Sequence, residues 1–134
     1  METRTLGWDC LVAPIPVAFV HMDGMVVMVG HKTAVACVDA LEDYVIDWIT
    51  ARGIEIIPVG YREASRLGCN VVALGDDRVL SMATNADLNQ RLEAMGFEVF
   101  PPDMSMFQHG GGGVHCLSQA LRRDPVEGSA WGNL

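Results

Sequence analysis

The chain of 134 residues has few basic side chains, with 9 Lys and Arg against 17 Asp and Glu. The formal net charge is −8 and the pI is near 4.7. Nucleic acids and anionic membrane surfaces attract proteins through positive charge. The sequence therefore predicts neither nucleic acid nor membrane as a partner, and it favours a cationic small molecule.

Paired cysteines and long apolar runs are also missing. The four cysteines, at positions 10, 37, 69 and 116, form no CxxC pair, which predicts reduced thiols in a cytoplasmic protein. The apolar stretch 11–20 is about half a bilayer span and contains two prolines, so it fails as a transmembrane helix and as a signal peptide. An apolar fraction of 50% suffices for the core of one domain.

Motifs for metals and nucleotides are absent as well. A site built from His21, Asp23, His115 and Cys116 is conceivable, but no pair has zinc-finger or HExxH spacing. The glycine run Gly110–Gly113 lacks the lysine of a phosphate loop and precedes an apolar stretch that reads as a strand, not a helix. We expect no metal and no cofactor.

The chain does contain an internal repeat. At Gly7, Gly53 and Gly96 a glycine is followed by one apolar, one acidic and two apolar residues, at spacings of 46 and 43 residues. A period of this size is typical of a repeated supersecondary unit. Helical patterns precede the second and third copies, where glycine is the expected residue after a helix end.

The predicted repeating unit is ββαβ, and the fold class is α/β. The first copy is then the tail of a unit, so the chain is expected to begin within a repeat. A short helix and one more strand follow the third copy, within residues 1–121, and residues 122–134 form a polar tail. The predicted elements are strands Met25–Val29, Thr33–Val38, Asn70–Leu74, Arg78–Met82 and Val114–Leu121, and helices Asp39–Ala51, Asn85–Met95 and Met104–Phe107.

The four glycines before His115 and Cys116 are the strongest functional signal. Glycine tolerates positive φ and lets a ligand approach the backbone closely, so the run predicts a loop built for a ligand beside an accessible thiol. Cys116 is therefore the candidate nucleophile. Cys10, Cys37 and Cys69 lie in apolar strand patterns and are interpreted as structural.

A second candidate cluster is His21-Met22-Asp23. On an extended segment the two polar residues point to one side, as a general acid or base and a cation-binding carboxylate would require. His115 neighbours Cys116, but adjacent strand residues face opposite ways, so it is not expected to activate the thiol. His31 and His109 are interpreted as turn or surface residues.

Together, His21-Met22-Asp23, the segment LGCNVVAL at 67–74 and the run GGGGVHCLSQ at 110–119 resemble the guanidino-group-modifying enzymes of the pentein superfamily. This group includes arginine deiminases, dimethylarginine dimethylaminohydrolases and amidinotransferases. The resemblance implies an α/β-propeller of five ββαβ units, of which this chain would hold about two and a half as a C-terminal half.

The resemblance also implies site roles. Cys116 matches the nucleophile, His21 the catalytic histidine and Asp23 the carboxylate that grips a guanidinium, while Gly112 and Gly113 are expected to contact the substrate. The implied function is a Cys-dependent hydrolase acting on the guanidino group of arginine or a methylated arginine through a covalent amidino-cysteine intermediate. The form of the cysteine loop favours the dimethylaminohydrolase-like branch.

Two departures from the family pattern keep alternatives open. The chain lacks the further acidic pair of the family's N-terminal half, and Gly24 stands where deiminases carry threonine. The alternatives are an amidinotransferase and a catalytically silent fragment that only binds or assembles. Either a homo-oligomer or pairing with a separate N-terminal half is expected if the chain is incomplete alone.

Overall fold

Two three-stranded sheets, each built from a ββαβ unit, form most of the computed structural model, which describes residues 2–5 and 7–122. The described strands are β1 Glu2–Thr5, β2 Trp8–Leu11, β3 Val26–Gly30, β4 Thr33–Cys37, β5 Glu55–Val59, β6 Val72–Gly75, β7 Arg78–Leu80 and β8 Glu98–Phe100. In the first sheet, β3 and β4 pair antiparallel and β4 and β5 pair parallel; in the second, β6, β7 and β8 repeat this pattern. A separate hairpin joins β1 and β2.

Within the described residues, four helices accompany the strands: α1 Asp43–Thr50, α2 Tyr61–Ala64, α3 Ala86–Ala94 and α4 Ser105–Gln108. Helix α1 buries Val45 and Ile49, and α3 buries Leu88 and Leu92. Each pair is four residues apart and so lies on one face of its helix, which packs on the adjacent sheet. Among the described residues, none of the helices has the length and apolar character needed to cross a bilayer.

The predicted ββαβ repeat is confirmed in both complete units. Gly53 and Gly96 have φ of +70° and +95°, which is the left-handed conformation that ends a helix and that side chains other than glycine rarely adopt. The strand after Gly7 is present as β2, and it pairs antiparallel with β1 in a hairpin. The corresponding strands of the two complete units, β5 and β8, instead pair parallel with β4 and β7. Helix α2 and strand β1 were not predicted.

The prediction of a strand at Val114–Leu121 is wrong. Residues 114–117 form consecutive turns, with Leu117 N–H donating to Gly113 O at 3.1 Å and Ser118 N–H to His115 O at 3.1 Å. These local bonds replace the ladder that a strand would need. The predicted polar tail lies, apart from Arg122, outside the described residues.

One hydrophobic core joins the two units. Its fully buried members include Met25, Val35 and Val59 from the first unit and Val79 and Leu92 from the second. Arg91 on α3 crosses the junction: its guanidinium donates to the carbonyl of Pro58 and to Glu63 Oε2 at 3.1 Å. The units are therefore held in a fixed relation, and the site forms from segments of both.

Candidate active site

Asp23 enters the site from a short turn that leads into β3. Met22–Gly24 is a single 3₁₀ turn, with His21 in extended conformation at its start and Met25 N–H donating to Met22 O at 2.9 Å. The expectation of an extended segment is therefore wrong here, and strand alternation does not decide where the two side chains point. His21 and Asp23 nevertheless both line one cleft.

Cys116 enters from the glycine loop after α4. Gly111 has φ of +83°, which only glycine adopts readily, while Gly110, Gly112 and Gly113 do not have positive φ. The turn after Gly113 leaves Cys116 exposed and places it at the wall of the same cleft. Gly111 lines the cleft, but Gly112 and Gly113 do not, within the described part of the chain. Their contact with a substrate stays a prediction.

Asn70 belongs to the second unit, where it lies just before β6, and its side chain is fully buried. Its Oδ1 accepts hydrogen bonds from the backbone N–H groups of His115, at 2.9 Å, and Cys116, at 3.3 Å. Its Nδ2 lies 3.0 Å from Cys116 Sγ and 3.4 Å from Asp23 Oδ2. One buried amide thus connects the loop backbone, the thiol and the carboxylate.

All these groups meet at one oxygen of Asp23. Its Oδ2 lies 2.9 Å from His115 Nδ1, 3.4 Å from Cys116 Sγ and 3.4 Å from Asn70 Nδ2. His115 lies in a turn, so the strand argument that separated it from Cys116 does not apply. Both side chains contact the same carboxylate, which itself is only partly exposed.

The surroundings of Asp23 change its acidity. Burial alone would raise the pKa of this carboxyl, but the hydrogen bonds from His115 and Cys116 and the charges of His115 and His21 outweigh it and lower the pKa below 3.8. The carboxylate is consequently ionised at neutral pH. It can hold a cation that enters the cleft.

The cleft has a volume of about 990 Å³. Three segments line it: residues 18–24 with His21 and Asp23, residues 60–67 around α2, and residues 84–87 at the start of α3. Gln108, His109, Gly111 and Cys116 complete the wall. His31 is exposed at a turn, as expected, whereas His109 is exposed but faces this cleft.

Two other cysteines are poorly suited to act as nucleophiles. Cys37 and Cys69 are fully buried, as predicted. Burial raises the pKa of the Cys37 thiol, and burial together with the nearby Cys37 and Glu63 raises the pKa of Cys69 from 9.0 to about 12. Cys10 is partly exposed in β2 and lies outside the residues lining the cleft.

Within the described residues, no three or more His, Cys, Asp or Glu side chains are arranged to hold a metal ion. The side chains of His115 and Cys116 each lie at hydrogen-bonding distance from Asp23. The arrangement suits recognition of a planar cation beside a thiol. It does not outline a coordination sphere.

A family profile described as "N,N dimethylarginine dimethylhydrolase, eukaryotic" matches residues 12–123, most of the chain and all of the site. The chain belongs to this family. The assignment to the pentein superfamily is confirmed, while the number of propeller units and the C-terminal-half assignment stay predictions.

Two relatives are similar to part of this member of the dimethylarginine dimethylhydrolase family. The uncharacterized protein YkgA of Bacillus subtilis is 28% identical over 105 residues, which cover 78% of this chain and 36% of YkgA. The arginine deiminase of Mycobacterium marinum is 37% identical over 78 residues, covering 58% of this chain and 19% of the deiminase. The chain thus spans only about a third or less of the length of these relatives.

Among solved structures, the inosamine-phosphate amidinotransferase StrB1 of Streptomyces griseus superposes with a TM-score of 0.69 at 20% identity. The match covers 85% of this chain and 36% of StrB1. This likeness establishes a shared fold.

Asn70 is the site residue to which sequence reasoning gave no role. Asn70 is part of the LGCNVVAL segment that carries the resemblance. The signal that could have identified it is a polar residue among apolar neighbours, because such a side chain, when buried, needs hydrogen-bond partners. His115 was set aside on an argument about a strand that is not present.

Adding a methyl group at Gly113 should disturb the site from within. A Cβ there would lie 2.4 Å from Asn70 Oδ1, whereas the three atoms nearest to a Cβ at Gly112 would be those of Leu117, at 3.6–3.8 Å. We expect Gly113→Ala to lower the free energy of unfolding by about 1–3 kcal/mol because the buried amide must move. Gly112→Ala, the matched control, should change it by less than about 0.5 kcal/mol.

The free energy of unfolding of both variants is measured by urea denaturation, with circular dichroism as the probe of unfolding. Equal stability of Gly113→Ala and Gly112→Ala would contradict the close contact between Gly113 and Asn70.

Proposed function

We propose that this chain is the nucleophile-bearing part of a cysteine-dependent hydrolase that acts on the guanidino group of arginine or a methylated arginine. The observation that carries the proposal is the 3.4 Å separation of Cys116 Sγ and Asp23 Oδ2 at the wall of an open cleft. A guanidinium held by this carboxylate would place its carbon beside the sulfur. Membership in the dimethylarginine dimethylhydrolase family supports this substrate class.

Asp23 would bind the substrate cation. Its lowered pKa keeps it ionised, and a planar guanidinium can donate two parallel hydrogen bonds to one carboxylate. The cleft is also part of a chain with net charge −8, which favours cations. The bound cation would in turn favour the thiolate form of the adjacent Cys116, because opposite charges attract across a short distance.

Chemistry would start at the guanidinium carbon. The Cys116 thiolate adds to this carbon, forming a C–S bond and a tetrahedral adduct. The C–N bond to the departing amine then breaks as His21 donates a proton to that nitrogen, which leaves an amidino-thioether on Cys116. Ammonia leaves when the substrate is arginine, and a methylamine leaves when the lost nitrogen is methylated.

Hydrolysis of the thioether would complete the cycle. His21, now neutral, removes a proton from water, and the water oxygen adds to the amidino carbon. Collapse of this second adduct breaks the C–S bond, regenerates the thiolate and releases a ureido product. His21 lines the same cleft as Cys116 and its charge reaches Asp23, which supports this role.

His115 would orient the carboxylate. Its Nδ1 lies 2.9 Å from Asp23 Oδ2, so the ring can donate there and fix the carboxylate relative to the thiol. An amidinotransferase would use the same first half-reaction and replace water by an amine acceptor. The exposure of Cys116 permits either acceptor, so the product identifies the reaction.

Turnover by the chain is expected to depend on Cys116. Arginine, methylated arginines and agmatine are each incubated with the chain, and ureido product is measured with and without an added amine acceptor. Cys116→Ser, which keeps the shape of the side chain with a far weaker nucleophile, should lower the rate by at least about 10³-fold.

Cys10→Ser is the matched control and should retain the wild-type rate, because Cys10 lies outside the residues lining the cleft. Equal rates for the wild type and Cys116→Ser would overturn the enzyme proposal and favour the silent fragment. Transfer of the amidino group to the amine without ureido product would favour the amidinotransferase.

We also propose that the chain acts together with a second copy or with a separate N-terminal half. Large apolar side chains that neighbour the candidate catalytic residues in sequence are exposed: Val17 and Val20 before His21, and Leu117 and Leu121 after Cys116. Exposed large apolar side chains are common on surfaces that another chain covers. The chain also spans only 36% of YkgA.

Sedimentation velocity at several concentrations should show association of the chain. The double variant Val20→Ser, Leu121→Ser should weaken it, because both side chains contribute apolar surface. Met28→Ser on the exposed side of β3 serves as the control. A folded wild type that stays monomeric at all concentrations would contradict self-association.

A further inference from the structure

We propose that Asn70 is a positioning residue that holds the Cys116 loop and stabilises the Cys116 thiolate through its side-chain amide. This inference rests on the proposed function for its catalytic consequence, since it concerns the thiol assigned as nucleophile. The contacts themselves, and the reactivity of the thiol toward a simple alkylating agent, do not depend on the identity of the substrate.

The acceptor half of the amide fixes the loop. Oδ1 of Asn70 accepts from the N–H groups of His115 and Cys116, at 2.9 and 3.3 Å. Because residues 114–117 form turns and have no strand partner, these two N–H groups have no ladder to bond to. The side chain therefore supplies what a neighbouring strand would supply elsewhere.

The donor half of the amide faces the sulfur. Nδ2 lies 3.0 Å from Cys116 Sγ, and with Oδ1 held by two N–H groups it cannot rotate away without breaking both bonds. A fixed N–H donor stabilises a thiolate more than a thiol, because the charge accepts the hydrogen bond more strongly. This donor works against the neighbouring Asp23 carboxylate, whose negative charge disfavours the thiolate.

Burial makes the arrangement rigid. Asn70 is 0% exposed, and Gly113 packs so closely against its amide that a Cβ at this position would lie 2.4 Å from Oδ1. The geometry is therefore present before any substrate arrives. Such preorganisation costs nothing at the moment of reaction, which is why fixed dipoles around a reacting group are effective.

Other titratable and charged groups lie near the sulfur or line the same cleft, and their ionisation also affects the pH dependence of Cys116 reactivity. Asp23 contacts the thiol and His115 contacts Asp23. The remaining groups that line the cleft are His21, Arg62, Glu63, Arg66, Asp87 and His109. A substitution at Asn70 also removes the Nδ2 donor from Asp23, so a change in the profile reports on the amide together with its contact to this carboxylate.

The test is alkylation of Cys116 by iodoacetamide in the full chain between pH 6 and 10, followed by peptide mass spectrometry. Cys10 in the same molecule is the internal reference. We expect Asn70→Ala to slow alkylation of Cys116 about tenfold at pH 7 and to move the pH profile of this alkylation to higher pH. Cys10 should be alkylated as in the wild type.

Asn89→Ala is the matched control. Asn89 is a buried asparagine of the same unit whose Nδ2 donates to Met82 O at 3.0 Å, and it lies outside the residues lining the cleft. Its loss should lower stability without moving the pH profile of Cys116. If Asn89→Ala and Asn70→Ala shift the profile alike, the effect is general loosening and the proposal is overturned.

Asn70→Asp separates the two halves of the amide. An aspartate keeps an acceptor for the two loop N–H groups but has no donor for the sulfur at pH 8. Hydrogen exchange of the His115 and Cys116 amides should stay near wild type in this variant and accelerate in Asn70→Ala. Alkylation of Cys116 should be slow in both.

A measurement on the wild type covers the case in which the Asn70 variants do not fold. The ¹⁵N side-chain amide resonance of Asn70 should shift with pH at the same midpoint as alkylation of Cys116. An Asn70 resonance that is unchanged while the thiol ionises would overturn the proposal. If these results hold and no guanidino substrate is turned over, the positioning role stands and the proposed hydrolase function fails on its own.

Discussion

One carboxylate oxygen, Oδ2 of Asp23, is the point on which the site depends. It lies within hydrogen-bonding distance of His115 Nδ1, Cys116 Sγ and Asn70 Nδ2. Asp23 lies in a turn before the first sheet. His115 and Cys116 lie in a loop after the second sheet, and Asn70 lies in the segment that leads into the second sheet. A carboxylate in this position compensates its partial burial with several donors, as a buried charge must.

The two ββαβ units matter because they set the distance between these segments. Met25 and Leu92 belong to one core, and Arg91 ties α3 to Pro58 and Glu63 of the preceding segment. Asp23 precedes the first strand of one sheet and Asn70 the first strand of the other. The repeat therefore places corresponding ends of two units side by side, and the cleft lies along their junction.

Much of the fold could be predicted because it rests on local rules. Helix ends at Gly53 and Gly96 follow from glycine in the left-handed conformation, and strand pairs follow from β-branched residues between turns. The segment after Gly113 could not be predicted this way. Its apolar residues read as a strand, but the carbonyl-like oxygen of a distant side chain, Asn70, satisfies its N–H groups instead.

The residues of the candidate site also fall into those that could be predicted from the sequence and those that could not. Cys116, His21 and Asp23 were recognisable because each belongs to a short motif with its own chemistry, and the structure brings all three to one cleft. Asn70 and His115 were not, since their roles depend on contacts between residues more than forty positions apart in the chain, Asn70 with Cys116 and His115 with Asp23. Long-range contacts of this kind leave no periodicity in a single sequence.

The most direct measurement of this account is an NMR titration of the Asp23 side-chain carboxyl carbon between pH 2 and 7. Burial alone would raise the pKa of this group, and the donors from His115 and Cys116 with the nearby histidine charges are what lower it. We predict a midpoint below the ordinary value of 3.8, so that the stabilisation from these bonds is present above that pH and is lost as the pH falls through the midpoint. A midpoint at or above 3.8 would show that the donors do not converge on Asp23 and would contradict the account.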